Sequence, residues 1–303
     1  MKTLQIYLLF GFMILPFSNF LAQGCSDAGF CTVNSLKPHT NDSVFIKKNY
    51  LKAGISVGDA DRSITTFGSY LEYGRILNAK FGINAKITSL SQSGNTINTF
   101  GLSDIFLTST YRPKENLTFT LGTKIPLTDG NSIKNGQFLP MDYQSSLGTL
   151  DLIAGIGYEI KKLQLTVALQ QPLTQSNNQF ISENLPENSV LRGFQTTNDF
   201  KRSGDLLFRA SYPFKIGNKL QITPGLLNIY HLSKDKFTSD EGVQRTIEGS
   251  EGLTINGNLF FDYKLNESNG FQLSIGVPFL VRDVRPDGLT RSFVANLEYG
   301  FTF

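Results

Sequence analysis

Two cysteines near the N-terminus are the first side chains in this chain that could do chemistry. Cys25 and Cys31 enclose the five residues Ser-Asp-Ala-Gly-Phe. In an exported protein, thiols at this spacing predict a local disulfide. Two alternatives stay open. Cys25 follows the small residue Gly24 and would be a lipidation site, or both thiols would bind a soft metal together with Asp27 or His39.

A histidine beside a serine raises the possibility of hydrolysis. His231 lies at the end of an apolar stretch and is followed by Leu232 and Ser233. A Ser–His mechanism also needs a third group that orients the imidazole and an oxyanion site. No such set stands at a recognisable spacing. We therefore predict no enzyme activity, no catalytic residues, no metal and no cofactor.

A third set of polar side chains recurs at alternate positions within otherwise apolar stretches. In β-strands these positions share one face, which in a closed barrel is the lumen. An ionised group there needs water or a partner. The set predicts either a pore lining or a network of ion pairs that fills a narrow barrel. The candidate lining residues are Tyr50, Lys52, Glu72, Lys86, Asp104, Lys124, Asp151, Arg209, Asp262, Lys264 and Glu298.

Strands are the elements that would position these groups. The alternation is clearest at the C-terminus, where every second residue is apolar or aromatic in Phe293-Val-Ala-Asn-Leu-Glu-Tyr-Gly-Phe-Thr-Phe303. Such a strand suits barrel closure in lipid, because no strand edge can face hydrocarbon. We predict an all-β fold, a single transmembrane antiparallel up-and-down β-barrel of about twelve strands. They fall near 46–58, 63–75, 79–91, 102–112, 116–127, 147–159, 162–172, 202–213, 218–231, 252–264, 270–281 and 290–303.

The tyrosines and the connection lengths indicate which end of the barrel faces the periplasm. The links after even strands are short, and several links after odd strands are long, as in 128–146, 173–201 and 232–251. Short periplasmic turns and long outer loops are typical of membrane barrels. Every even strand also carries a Tyr near its C-terminal end, where a ring can sit in lipid and its hydroxyl in water. These are Tyr73, Tyr111, Tyr158, Tyr212, Tyr263 and Tyr299.

The N-terminus resembles an export signal. Lys2 precedes an apolar run from Ile6 to Phe17, and small residues follow it. The predicted organisation is therefore a signal peptide at 1–24, a periplasmic segment at 25–45 that carries both cysteines, and the barrel at 46–303. The net charge of +3 is scattered, so the sequence does not predict a nucleic-acid groove.

Several segments together resemble the outer-membrane protein family named for the MetA pathway of phenol degradation. Gly101-Leu-Ser-Asp-Ile-Phe-Leu-Thr-Ser-Thr-Tyr111 resembles its G-x-x-D-x-x-L-x-x-x-Y strand, and Gly122-Thr-Lys-Ile-Pro-Leu-Thr-Asp-Gly-Asn131 resembles the strand and loop that follow. Gly148-Thr-Leu-Asp151 and Val277-Pro-Phe-Leu-Val-Arg-Asp283 are similar to two further motifs, so the likeness spans roughly residues 100–303. The resemblance implies a barrel that passes small, often hydrophobic, molecules across the outer membrane.

The function we predict is passive passage of small hydrophobic or uncharged solutes through the outer membrane of a Gram-negative-type cell. A barrel that hydrolyses lipid and a structural or adhesive barrel with a sealed lumen are the alternatives. The expected partners are outer-membrane lipid, a small-molecule solute, and the barrel-assembly machinery, which would bind the C-terminal Phe303.

Overall fold

A closed sheet of twelve antiparallel strands forms the body of the protein in the computed structural model. The structure describes residues 32–38, 48–287 and 291–303, with the backbone alone for 291 and 292. Each barrel strand pairs with the next one along the chain, so the predicted up-and-down β-barrel is confirmed. The predicted signal peptide, Cys25, Cys31 and His39 lie outside the described residues.

Strand bounds follow the predicted ones closely at most positions. The strands are β1 (Asn49–Ala60), β2 (Ile64–Ile76), β3 (Phe81–Gly94), β4 (Ile97–Lys114), β5 (Leu117–Pro126), β6 (Asp151–Ile160), β7 (Leu163–Pro172), β8 (Asp205–Ser211), β9 (Leu220–His231), β10 (Gly252–Lys264), β11 (Asn269–Leu280) and β12 (Arg291–Thr302). Within the described parts of the chain, no helix is long and apolar enough to cross a bilayer.

The β3–β4 hairpin is longer than predicted. Its ladder continues to the pair Gly94↔Ile97, and Asn95 and Thr96 form the turn at φ of 51° and 64°. Positive φ at both central residues defines a type I′ turn, which matches the twist of the flanking strands. Asn tolerates this conformation, whereas Thr adopts it rarely. The tight turn is therefore hard to recognise in the sequence, which has no Asn-Gly pair here.

The first and last strands close the barrel. β1 pairs with β12 from Tyr50↔Thr302 to Asp59↔Phe293 without a break. At the end of the ladder the Asn49 N–H donates to the Phe303 carbonyl at 3.1 Å, and the Phe303 N–H donates back at 2.9 Å. This joint removes the last pair of sheet edges.

Pro224 lies inside β9 without a bulge, because the β9–β10 register runs through Pro224↔Leu259 without a shift. The Tyr212 N–H donates to the Pro224 carbonyl at 3.0 Å. The Pro224 nitrogen, which carries no hydrogen, therefore faces β8 at Tyr212 and Pro213. There β8 stops at Ser211, and Phe214–Ile216 resumes pairing with β9 in the same register.

The two faces of the sheet differ in polarity as the alternation requires. Outward side chains are largely apolar, and the six rim tyrosines listed above are 37–44% exposed near the ends of their strands. The inner face carries the charged and amide side chains. The alternation predicted from the sequence therefore places the polar groups inside the barrel.

Long connections fold inward over one end of the barrel. Residues 127–150 and 173–204 bring apolar side chains together above β2 and β3, where Tyr143, Phe180 and Phe194 are buried. The Arg62 guanidinium lies 4.7 Å from the centre of the Phe194 ring. The loops therefore contribute a packed cap, in addition to a water-facing surface.

A charge placed on the outer wall tests the proposed lipid face. Leu121 lies near the middle of β5 and is 57% exposed. Leu121→Arg should lower the free energy of unfolding by about 2–4 kcal/mol in lipid vesicles, because the charge enters hydrocarbon.

Ile133→Arg is the matched control, since Ile133 is 58% exposed but belongs to a loop hairpin. Urea unfolding in vesicles measures both variants. Equal costs for the two substitutions would contradict a lipid-facing wall at Leu121.

Candidate functional site

Two tyrosines and two glycines of β1 and β2 form the base of the lumen. Tyr50 stands opposite Gly74, and Tyr70 stands opposite Gly54. A Cβ atom at Gly74 would lie 2.1 Å from the Tyr50 ring, and one at Gly54 would lie 2.3 Å from the Tyr70 ring. Each ring therefore lies flat against a glycine on the neighbouring strand. This packing fixes both hydroxyls in the lumen.

Glu298 of β12 is the centre of a network beside these rings. It pairs with Lys52 at 2.7 Å and with Lys37 at 3.3 Å, and it accepts a hydrogen bond from the Tyr70 hydroxyl. The Lys86 ammonium lies 4.1 Å from the centre of the Tyr70 ring. A carboxylate that is buried with two cations and a hydroxyl is well compensated, so this network is a stable part of the lumen.

The described N-terminal segment, residues 32–38, contacts the lumen wall on opposite sides. Lys37 reaches Glu298, and the Lys86 Nζ donates to the Thr32 hydroxyl at 2.9 Å. The Arg209 guanidinium donates to the Leu36 carbonyl. The segment thus crosses the barrel interior and is held to β12, β3 and β8.

One patch of the inner wall is apolar, and the segment covers it. Val33 and Leu36 are buried in a cluster with wall residues of β4 and β6–β9. A Cβ at Gly155 would lie 2.7 Å from Leu36, so a glycine is needed for this close approach. The wall residues of the cluster are Phe106, Ile153, Ala168, Leu207, Leu227 and Ile229.

Further along the lumen, Lys124 and Asp151 form a fully buried ion pair at 3.0 Å. Lys124 also donates to the Thr149 hydroxyl at 3.1 Å, and the Gln170 amide donates to Asp151. Asp104 accepts a hydrogen bond from Ser146 at 2.7 Å. These groups join β4–β7 with the loop that precedes β6.

At the end covered by the loops, His231 lies between two carboxylates. Its Nδ1 is 2.7 Å from Asp205, and its Nε2 is 2.8 Å from Asp235. A ring that donates to both carboxylates carries both protons and is cationic. Ser233 instead donates to Ser203 at 2.9 Å. Both ring nitrogens are thus engaged by carboxylates, and Ser233 has a different partner.

Two arginines complete this cluster. Arg202 pairs with Asp205 and, at 3.2 Å, with Asp287, and Arg282 pairs with Asp287 at 2.8 Å. Burial raises the pKa of Asp287, but the Arg282 and Arg202 guanidiniums outweigh it and hold that pKa well below its ordinary value. The cluster ties β8 and β9 to the loop after β11.

Ten of the eleven predicted lining residues face inward. Lys264 instead lies at the strand end, where it pairs with Glu267 at 3.1 Å. With Lys37 added and Lys264 excluded, the charged residues of this set are five basic and five acidic. They are Lys37, Lys52, Lys86, Lys124 and Arg209 against Glu72, Asp104, Asp151, Asp262 and Glu298. Their role as a pore lining stays a prediction.

The sequence reading missed Tyr70, Lys37 and the cluster around Arg202. Tyr70 lies two residues before Glu72 in β2, so both side chains point to the same face. The alternation therefore predicts the inward position of Tyr70. Lys37 precedes the first strand, and Arg202 and Asp287 lie in connections. No periodic pattern covers such residues, so only the folded structure shows where they meet.

Comparison with known proteins gives a likeness of fold. No family model matches this chain, and no curated protein matches its sequence. The COG4313 outer membrane channel from Pseudomonas putida F1 is similar with a TM-score of 0.61 at 13% identity, over 88% of this chain and 100% of that chain. Its likeness at this identity shows a shared fold.

Two further solved structures are less similar. The CymD monoaromatic hydrocarbon channel has a TM-score of 0.44 at 9% identity, over 94% of each chain. The KdgM porin has a TM-score of 0.44 at 8% identity, over 84% of this chain and 99% of that chain. The resemblance to the family named for the MetA pathway stays a prediction.

Removal of one cation from the loop-covered cluster should be costly. Arg202→Met leaves Asp205 and Asp287 buried without this partner, and we expect a loss of about 3–5 kcal/mol in the free energy of unfolding. Arg245→Met is the control, because its pair with Glu241 at 2.9 Å is exposed and such pairs contribute about 1 kcal/mol or less. Urea unfolding of the detergent-solubilised barrel, followed by circular dichroism, measures both. A loss for Arg202→Met no larger than that of the control would refute the cluster's role.

The lowered pKa of Asp287 predicts a pH dependence with a definite sign. Its stabilising contribution is complete above the ordinary Asp pKa of about 4 and is lost as the pH falls through the lowered folded-state value. Thermal unfolding between pH 7 and pH 2 should show a steeper fall in Tm below about pH 4 for the wild type than for Asp287→Asn. The exposed loop variant Asp240→Asn should follow the wild type. Parallel curves of Tm against pH for the wild type and Asp287→Asn would contradict this role of Asp287.

Proposed function

We propose that this protein is an outer-membrane channel for passive passage of small hydrophobic or uncharged solutes. The closed barrel and its likeness to an outer membrane channel support this location and this class of function. Short turns would face the periplasm and the long loops the outside.

The observation that carries the proposal is the apolar patch on the inner wall of β4 and β6–β9. In a lumen filled with water such a surface would be unfavourable unless something apolar covers it. Val33 and Leu36 cover it here. An apolar solute would find the same surface favourable, so the wall is suited to bind one.

The balanced charges of the lumen support selection against ions. The five basic and five acidic side chains of the lining set sum to no net charge, so the set attracts neither sign. Several of them are fixed in pairs, as in Lys124–Asp151 and Lys52–Glu298. Mixed and paired charges favour uncharged solutes over ions of either sign.

A solute would pass either beside the N-terminal segment or in the space that the segment occupies. The wall across the barrel from β7 carries small inward residues, including Ser56 and Gly58 of β1 and Ser274 and Gly276 of β11. Displacement of Leu36 would open the apolar wall as well. The segment would thus control how much of the lumen is free.

Weakening the segment's attachment tests this proposal. Leu36→Ala with Lys37→Ala removes its apolar and ionic anchors together. Flux of a small aromatic solute into liposomes should rise severalfold over the wild type. The control changes the same residue types at an exposed turn, as Lys264→Ala with Leu265→Ala, and should leave the flux unchanged.

Two outcomes would count against the proposal. If the wild type and the double variant give no flux above lipid alone, the lumen is sealed and a structural or adhesive barrel is favoured. If a charged solute of the same size passes as readily as the neutral one, the balanced lumen does not select.

A further inference from the structure

Charged side chains outside the lumen are distributed unequally between the two ends of the barrel. We call the end with the short connections the turn end and the end covered by the long connections the loop end. Among the described residues, the turn end carries ten Lys and Arg against three Glu, and the loop end carries ten Lys and Arg against fifteen Asp and Glu. The small net charge of the whole chain conceals this polarity.

Basic residues surround the turn end on every side. Arg75 lies near the end of β2 and Lys80 in the turn that follows, and the link from β8 to β9 carries Lys215 and Lys219. All four side chains are exposed, and neither connection contains an acidic residue. These two connections lie on opposite sides of a ring of twelve strands.

The turns between these positions continue the ring. Exposed Lys114 lies in the β4–β5 turn, and exposed Lys161 and Lys162 lie in the β6–β7 turn. Exposed Lys48 precedes β1, and Lys264 ends β10. The basic groups therefore form an annulus around the turn end and do not form a one-sided patch.

The annulus lies directly beyond the outward tyrosines of the same end. Tyr73 is two residues from Arg75 along β2, and Tyr158 is three residues from Lys161. Tyr rings mark the boundary between hydrocarbon and water, and Lys and Arg side chains extend from there to the headgroup level. The basic groups are thus at the depth of lipid headgroups.

We propose that the turn end binds the anionic headgroups of the surrounding phospholipid. An acidic soluble partner would contact one side or the open end of the barrel, whereas the lipid surrounds it, as the basic groups do. The acidic loop end would not share this preference. In an outer membrane with the turn end in the periplasm, the lipid concerned is the anionic phospholipid of the inner leaflet.

The preference can be measured on the full chain in phosphatidylcholine vesicles. Trace spin-labelled phosphatidylglycerol or phosphatidylcholine reports the fraction of lipid immobilised at the barrel surface. We expect phosphatidylglycerol to be favoured about twofold or more, since basic groups near a membrane surface attract anionic lipid. The preference should fall towards equality in 1 M salt, at roughly a 3 Å Debye length.

A charge-removal variant locates the effect. Arg75→Gln, Lys80→Gln, Lys215→Gln and Lys219→Gln together should abolish most of the preference. The matched control removes four cations from the loop end, as Lys134→Gln, Lys201→Gln, Lys236→Gln and Arg245→Gln, and should retain it. Equal association of both lipids with the wild type, or an equal loss in the two variants, would overturn the proposal. If the first variant does not fold, a wild-type preference that is insensitive to salt overturns it as well.

Discussion

Complete pairing of strand edges is the constraint on which this structure depends. A backbone N–H or carbonyl without a partner is costly in hydrocarbon, so a sheet in lipid must close on itself. Here the joint between β1 and β12 achieves closure, and it is continuous from Tyr50↔Thr302 to Asp59↔Phe293. Once the sheet is closed, each strand has one face in lipid and one in the lumen, and the charged side chains in the middle of the wall must be accommodated inside.

Several charged side chains of the interior meet that requirement with partners on other elements. Glu298, Lys124 and His231 each have charged partners on other elements, and each partner comes from a different part of the chain. Such pairs are costly to break although they add little compared with an apolar interior. Their effect is to hold the connections and residues 32–38 in fixed positions. The apolar patch around Val33 and Leu36 instead contacts the segment by side-chain packing.

Much of the fold can be predicted from the alternation, and the limits of that prediction are physical. The two-residue alternation predicts the strands, the inward orientation of residues such as Glu72 and Asp104, and the row of outward tyrosines. It gives nothing for residues 32–38 or for Arg202, because an irregular segment has no period and its partners are distant in sequence. It also misses the Asn95-Thr96 turn, since the tight reversal there does not use the usual Asn-Gly pair.

The break in β8 beside Pro224 has a consequence for assembly. Pro224 lies opposite Tyr212 and has no N–H to donate to it, so the β8–β9 ladder lacks one hydrogen bond there while its register continues on both sides. Strands before and after this gap are joined by hairpins, whose partners meet without long searches. The Phe214–Ile216 segment pairs with the start of β9 across a short turn, so β8 and β9 meet as locally as the other neighbouring strands. The joint between β1 and β12 would then be the seam at which the two ends of the ribbon finally meet.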